Sequence, residues 1–298
     1  MNSRCISWGR TMLNLPDLKR RIASVKQTRQ ITGAMETISV SKMRKSIEIC
    51  EKARPYIIGL TQTLDSILCL PDEDFTEYTT PPKTGLDAVI VISSDKGLCG
   101  SYNHEILKAA DEIVGENSLV VPIGITAKSR FDGKEGYGVD DSFASLSGKT
   151  DPSKINELSS MLLDKYGKEL KSVTLVYGKI VSGSLTSAVT KKLLPLVSLD
   201  KAKDGSLVEF EPNKKAVLDW ILPLYISGMI YGALLDSAAA EHSARSAAMT
   251  ESGKNADAMI DMLTLEYSRA RQASVTNQIT EIIGSRQANS HDKNGGGV

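Results

Sequence analysis

The sequence is poor in the residues from which most catalytic and metal centres are built. Its 298 residues include three histidines, His104, His242 and His291, and four cysteines, Cys5, Cys50, Cys69 and Cys99. A zinc site needs such ligands clustered at short spacing, and no C-x-x-C pair occurs, so no metal site is expected. The scattered cysteines read as reduced thiols of an intracellular protein rather than a disulfide framework. Net charge is also missing, because 36 basic residues balance 36 acidic ones, so no global field steers a partner. Aromatics make up only 5% of the chain, as expected where helix–helix seams replace a thick core. No uninterrupted apolar run of about 18 residues occurs, so no membrane-spanning helix is expected. Residues 1–13 carry Arg4 and Arg10 but lack the apolar core of a secretory signal. They read as an extension ahead of Met12, with a short organellar presequence as the alternative.

What is present is helical periodicity at both ends. From Asn213 to Gly284 apolar residues recur at three- and four-residue steps: Leu218, Ile221, Leu222, Tyr225, Met229 and Ala233. The pattern resumes with Met259, Met262, Leu263, Tyr267, Ala270 and Ala273, then Ile279, Ile282 and Ile283. At about 1.5 Å per residue, an unbroken helix over this stretch would be roughly 100 Å long. A core of this chain's size cannot bury it end to end, so it is expected to be a shaft, wrapped by another helix or gripped by another protein. Its middle, Asp236 to Ala258, is alanine-rich, which favours helix and lets a neighbour approach closely. Ser252-Gly253-Lys254-Asn255 is a candidate break.

A first helix is expected from Asn14, with Pro16 in its first turn and Asp17 favourable to the helix dipole. It continues through Leu18, Ile22, Val25, Ile31, Met35, Ile38, Met43 and Ile47, and Pro55 is expected to kink or interrupt it. Between Leu18 and Arg54 ten basic residues stand against three acidic ones, a local excess suited to an acidic partner surface. The two terminal helices pair antiparallel if the segment between them returns the chain to where it left.

Between the helices the composition changes. After a linker over residues 71–85, rich in proline and acid, Asp87 to Ser93 is a continuous apolar run, as in a strand buried on both faces. A glycine turn with Gly97 and Gly100 leads into a helix expected over Asn103 to Gly115, and a second strand over Leu119 to Ile125. A helix from Pro152 to Leu170 precedes a third strand, Val173 to Tyr177, with further strands expected over Leu193 to Leu199 and Leu207 to Phe210. The alternation marks an α/β domain over residues 86–210. The expected order is an extension (1–13), a helix (14–70), a linker (71–85), the α/β domain (86–210), a helix (211–284) and a polar, disordered tail (285–298).

Chemistry is hard to find along this chain. Strand, glycine loop and helix is how phosphate sites begin, but Asp95-Lys96-Gly97-Leu98-Cys99-Gly100 matches neither G-x-G-x-x-G nor G-x-x-x-x-G-K-[ST]. A tight turn is the better reading of Gly97 and Gly100, and no cofactor is expected. Cys99 at a helix start, with His104 five residues on, is a weak candidate nucleophile. Two rivals stay open at this point. One is a nucleotide-dependent enzyme built on the α/β domain. The other is a basic helical scaffold for nucleic acid, against which the first helix lacks aromatics for stacking on bases.

Three motifs then occur in order: Arg21-Ile22-Ala23-Ser24-Val25 with Ile31 to Glu36 and Ser41 to Lys45; the glycine loop followed by Tyr102-Asn103; and Arg269 to Thr276 with Ile279 to Ile282. Together they closely resemble the γ subunits of F-type ATP synthases over about residues 14–284. The resemblance implies an antiparallel coiled coil of the terminal helices with an inserted Rossmann-like α/β domain, and the role of a non-catalytic central rotor. It implies as partners a hexamer of α and β subunits, an ε-type subunit and a membrane ring of c subunits, and no nucleic acid. Proton flow through the ring would turn the shaft, and the complex would lie at the cytoplasmic face of a bacterial inner or plasma membrane, or alternatively at the matrix side of the mitochondrial inner membrane. By the same resemblance Met35, Lys42, Arg44, Arg245, Arg269, Arg271, Gln272 and Thr276 would be coupling or interaction residues. Gly33, Thr37 to Val40 and Thr250 depart from the family's usual residues, and the cysteine pair of the chloroplast-type regulatory insert is not apparent.

Overall fold

In a computed structural model, residues 14–68, 76–147, 150–182, 185–196 and 210–292 are described. The expected extension over 1–13, the end of the strand expected at Leu193 to Leu199 and most of the strand expected at Leu207 to Phe210 lie outside them. The chain divides into two compact units, residues 35–249, and residues 1–34 with 250–298. Two helices contribute to both: α1 (Leu15–Leu68) and α6 (Lys214–Asp292).

The larger unit is organised by a five-stranded sheet of order β3-β2-β1-β4-β5, with β1 (Leu86–Ile92), β2 (Ser118–Ile123), β3 (Gly138–Val139), β4 (Leu170–Ser182) and β5 (Leu185–Leu194). The first four pair in parallel, and β5 returns antiparallel along β4 from Leu185 to Leu194. Five consecutive residues of β1, Ala88 to Ile92, are buried, because helices cover both faces of the sheet. On one face Val89, Val91 and Val120 pack with Ile106 of α3 (Tyr102–Asp111) and Phe131 of α4 (Ile125–Phe131). On the other, Ile90, Ile92 and Leu175 pack with Leu158 and Leu162 of α5 (Pro152–Lys165), Leu64 and Ile67 of α1, and Leu218 to Leu234 of α6. The apolar window of α6, long and apolar enough by composition to cross a membrane, is therefore 56% buried within the protein.

α1 runs antiparallel to α6 within this unit. Leu60 and Tyr56 lie against Gly228, and Ile57 lies against Gly232, where any side chain on α6 would meet them. This close packing holds α1 helical through Pro55, which does not interrupt it. Pro223 likewise lies inside α6, and its carbonyl accepts a hydrogen bond from Ser159 Oγ at 3.1 Å.

Several expected elements differ in extent. The third strand is thirteen residues, not five, and its antiparallel partner β5 begins at Leu185, eight residues ahead of the strand expected at Leu193. β5 is an edge strand of mixed polarity, Leu-Thr-Ser-Ala-Val-Thr-Lys-Lys-Leu-Leu, and so lacks the continuous apolar run that marks β1. α5 stops at Lys165, where a turn at Gly167 (φ +80°) redirects the chain. A short helix, α2 (Thr76–Thr79), lies within the expected linker.

In the smaller unit α1 and α6 again run antiparallel. Arg29 Nε donates to Asp257 Oδ2 at 2.9 Å, and its guanidinium packs over Gly253. The candidate break at Ser252 to Asn255 is helical, with the Arg29 guanidinium lying against Gly253. Among the described residues a narrow seam is buried: Leu18 and Thr32 on α1, Gly253, Ala256 and Leu263 on α6. Met259, Met262, Leu265, Val275, Ile279, Ile282 and Ile283 are exposed. α6 continues to Asp292, eight residues past the expected boundary at Gly284, so the first part of the expected disordered tail is helix, and residues 293–298 lie outside the described residues.

Candidate functional site

The alanine-rich middle of α6 carries a polar row, Ser237, Glu241 and Arg245, at four-residue spacing and hence on one face. That face meets the loop between β1 and α3. Arg245 is 8% exposed, which makes it a structural group and not a solvated charge. Its guanidinium ties a carboxylate to two carbonyls: Nη1 donates to Glu241 Oε1 at 2.6 Å, Nη2 to Lys96 O at 2.9 Å, and Nη2 and Nε to Gly97 O at 3.3 and 3.4 Å. A planar fork of donors is what allows one side chain to tie a carboxylate and two carbonyls together.

The neighbouring groups are tuned by this burial. Desolvation raises the Glu241 carboxyl above its ordinary value, and Arg245 works against that shift. Burial, then the charges of Arg245 and Lys42, push His242 down to about 4. Its Nδ1 lies 3.4 Å from Arg245 Nη1, a contact in which the imidazole nitrogen accepts. Tyr102, at the start of α3, shares a hydrogen bond of 2.6 Å with Ser237 Oγ and donates to Ser237 O at 3.1 Å. Burial raises the phenol far above its usual range, so it stays a neutral donor. Gly178 of β4 gives the Tyr102 ring its place, because a Cβ there would overlap the ring.

The loop itself is braced from within. Asn103 Oδ1 accepts from Ser94 N at 3.1 Å, and its Nδ2 donates to Ser94 Oγ at 2.7 Å and Cys99 Sγ at 3.2 Å. Leu98 and Gly100 both take left-handed backbone, at φ +62° and +60°, which turns the chain into α3. Gly97 contributes its carbonyl to Arg245, not a positive φ. Cys99 is buried among Ser94 and Asn103, while His104 is exposed on α3, so the loop holds no thiol–imidazole pair. Among the described residues no three metal-ligating side chains gather. The arrangement is a mechanical joint, fastening the loop and α3 to the helix.

The other residues singled out by sequence make no hydrogen bond to this joint, though the charge of Lys42 reaches His242 and Glu241. Met35 is half-buried, and its carbonyl accepts from Ser39 Oγ at 2.7 Å; Lys42 and Arg44 are exposed on α1. Arg269, Arg271, Gln272 and Thr276 are exposed on α6 in the smaller unit, with Thr276 Oγ1 donating to the Gln272 carbonyl at 2.9 Å. Sequence reasoning brought in Arg245, Gly97 and Gly100, and Tyr102 as part of the loop motif, but gave no role to His242 and missed Ser237 and Glu241. The signal for these last two was available: polar residues four apart in a run of alanines.

A family model described as ATP synthase matches residues 14–288. The chain is 39% identical over 285 residues to the ATP synthase gamma chain of Pelotomaculum thermopropionicum, covering 93% of this chain and 99% of that one. It is 31% identical over 298 residues to the sodium ion specific ATP synthase gamma chain of Acetobacterium woodii, covering 92% and 98%. Among solved structures, a chain of the Euglena gracilis mitochondrial ATP synthase (OSCP/F1/c-ring, rotational state 3) is similar in fold, with a TM-score of 0.63 at 15% identity and coverage of 95% and 97%.

Proposed function

The chain belongs to the ATP synthase γ-chain family, and from that premise we propose how its two units divide the work of a rotor. It is the central rotor shaft of an F-type ATP synthase, a non-catalytic subunit of a membrane-associated complex. Its partners are the α/β hexamer that makes or hydrolyses ATP and the membrane ring of c subunits, and ion flow through the ring couples to ATP synthesis.

The observation that carries our division of work is the contrast in burial between the two units. In the smaller unit the helix pair buries a narrow seam and leaves Met259 to Ile283 with large apolar side chains in water. Exposed apolar surface of that extent marks a contact with another protein. We assign it to the bearing of the hexamer, with Arg269, Arg271, Gln272 and Thr276 as its polar contacts, and Met35, Lys42 and Arg44 on α1 as contacts to the acidic faces of the catalytic subunits. The shaft works through asymmetry: different faces presented to identical sites give them different binding free energies, and rotation passes each site through every state. Arg245 serves coupling from within, holding the α/β domain to α6 so that torque entering at one is delivered by the other. The domain, with an ε-type subunit, is the end that rides on the ring. We place the complex at the cytoplasmic face of a bacterial inner or plasma membrane, with the proton as the coupling ion.

Reconstitution tests this reading. Purified α and β subunits are assayed for ATPase with the full chain, with the chain truncated before Arg269, and without it. We expect no turnover by the chain alone, sustained turnover of the assembled complex, and weaker coupling with the truncated chain. Turnover by the chain alone, or failure of the full chain to assemble, refutes it.

A further inference from the structure

The larger unit contains a pocket of about 520 Å³ between α1, α6 and the β4–β5 pair, separate from the Arg245 joint in its lining and not used by the rotor reading above. Its walls carry three cations, Arg54, Lys179 and Lys191, against one carboxylate, Asp236. None of the three cations forms an ion pair within 4.0 Å among the described residues. Burial raises the Asp236 carboxyl, opposed by the nearby charges of Lys179 and Arg54 and by a hydrogen bond with the Cys50 thiol, so this single carboxylate is shared among them.

Lys191 is the telling group. It is half-buried, and the acceptor the structure gives its ammonium is the Met229 thioether at 3.8 Å. An ammonium with three donors on a weak sulfur acceptor is poorly compensated for the water it has lost. Burial and the charge of Lys179 hold its pKa below the ordinary lysine value, while Asp65 opposes them. Edge strands favour lysine on their solvent side, but this one leans inward beside Tyr177, itself buried. A pocket of this volume is within the range of small-ligand sites, roughly 300–1,000 Å³, and larger than a lone ion needs.

We propose that this pocket binds a small multivalent anion of the phosphate-ester or polycarboxylate type, whose charge is met by Arg54, Lys179 and Lys191 and whose apolar part lies on Tyr177 and Met229. The phosphate or carboxylate supplies the acceptors that Lys191 lacks, and the wall of α6 supplies the apolar contact. Because the open-sided pocket is bounded by α1, α6 and the sheet, an occupant bridges the shaft helices and the α/β domain.

The test uses the full-length chain, with phenyl phosphate, inorganic phosphate and citrate as probes, read by calorimetry and by thermal shift. We expect saturable binding of phenyl phosphate and citrate, with phenyl phosphate tighter than inorganic phosphate. Lys191→Met should weaken binding at least tenfold and the exposed Arg54→Gln several-fold, while Lys26→Met, on α1 in the other unit, leaves it unchanged. No saturable binding by any probe overturns the proposal, as does equal weakening by all three variants, which is what general attraction of anions to a basic helix gives. If the probes do not bind but Arg54→Gln and Lys191→Met impair assembly with partner subunits, the proposal also falls, and the pocket is instead a seat for an acidic protein segment. These readouts need no rotation or ATPase, so they stand or fall apart from the rotor assignment.

Discussion

Replacing Arg245 by methionine keeps most of the side chain's length and apolar stem while removing the fork that joins α6 to the β1–α3 loop. The loss has two parts. Glu241, with a side chain only 17% exposed, is left without its partner, and one-sided removal of a buried ion pair costs about 3–5 kcal/mol. The Gly97 carbonyl also loses its donor, while the Lys96 carbonyl keeps that of Ser94 Oγ at 2.8 Å; both residues are exposed and water replaces what is lost, so this part is small. We therefore expect the low end, about 3 kcal/mol, with Arg245→Lys losing about half of that because an ammonium cannot span the carboxylate and both carbonyls. Hydrogen exchange reads this locally. Ser94 N donates to Asn103 Oδ1 and Tyr102 N to Cys99 O, so both amides report opening of the loop. At about 1.4 kcal/mol per tenfold, exchange at these amides should accelerate by roughly 100-fold in Arg245→Met and about tenfold in Arg245→Lys, up to the limit set by their own local opening. Exchange within about twofold of the parent in a folded Arg245→Met chain would refute the joint.

Three further outcomes follow from the same geometry. His242 has a native pKa of about 4 against the ordinary 6.5, so between those values the unfolded chain binds the extra proton. The stability it contributes is whole above pH 6.5 and is lost as pH falls towards 4; about 1.36 kcal/mol per pKa unit bounds it at ~3.4 kcal/mol, and solvent screening of this part-exposed ring brings it to roughly 1–2 kcal/mol. Glu241 beside it acts in the opposite sense, so the readout is the difference between parent and His242→Gln in denaturant titrations at about pH 7 and about pH 4.5, which should shrink that loss. Gly178→Ala forces the Tyr102 ring from its seat and strains its bonds to Ser237, costing about 1–3 kcal/mol by denaturant melt, and adding Tyr102→Phe to that variant should recover little. Arg29→Gln removes an ion pair whose side chains are 38% and 55% exposed, so the same melt should move by no more than about 1 kcal/mol.

The architecture was legible because its periods are strong. The helical spacing of Leu218, Ile221, Leu222 and Tyr225, and the unbroken apolar run at Val89 to Ile92, each point to one element type, and the structure buries both sets in a single unit. Extents were harder. Pro55 and Gly253 are helix breakers by local preference, yet one is held by the contacts of Ile57 and Leu60 with α6, and the other lies under the Arg29 side chain that pairs with Asp257. These are tertiary reasons and leave no local mark. β5 alternates poorly because Lys191 and Lys192 interrupt its apolar residues, which hid the hairpin. The joint was half visible: Arg245 and the glycine loop drew notice separately, but only folding brings residues 148 positions apart into contact.

The central claim is that this chain turns inside a catalytic hexamer. The direct measurement is single-molecule rotation: the hexamer fixed to a surface, a probe attached to the α/β domain through an engineered cysteine on a Cys-free background, and ATP supplied. The account predicts stepwise rotation in a single direction that stops when ATP is withdrawn. ATP hydrolysis by the assembled complex with a probe that only diffuses, and a chain intact and bound, would contradict it.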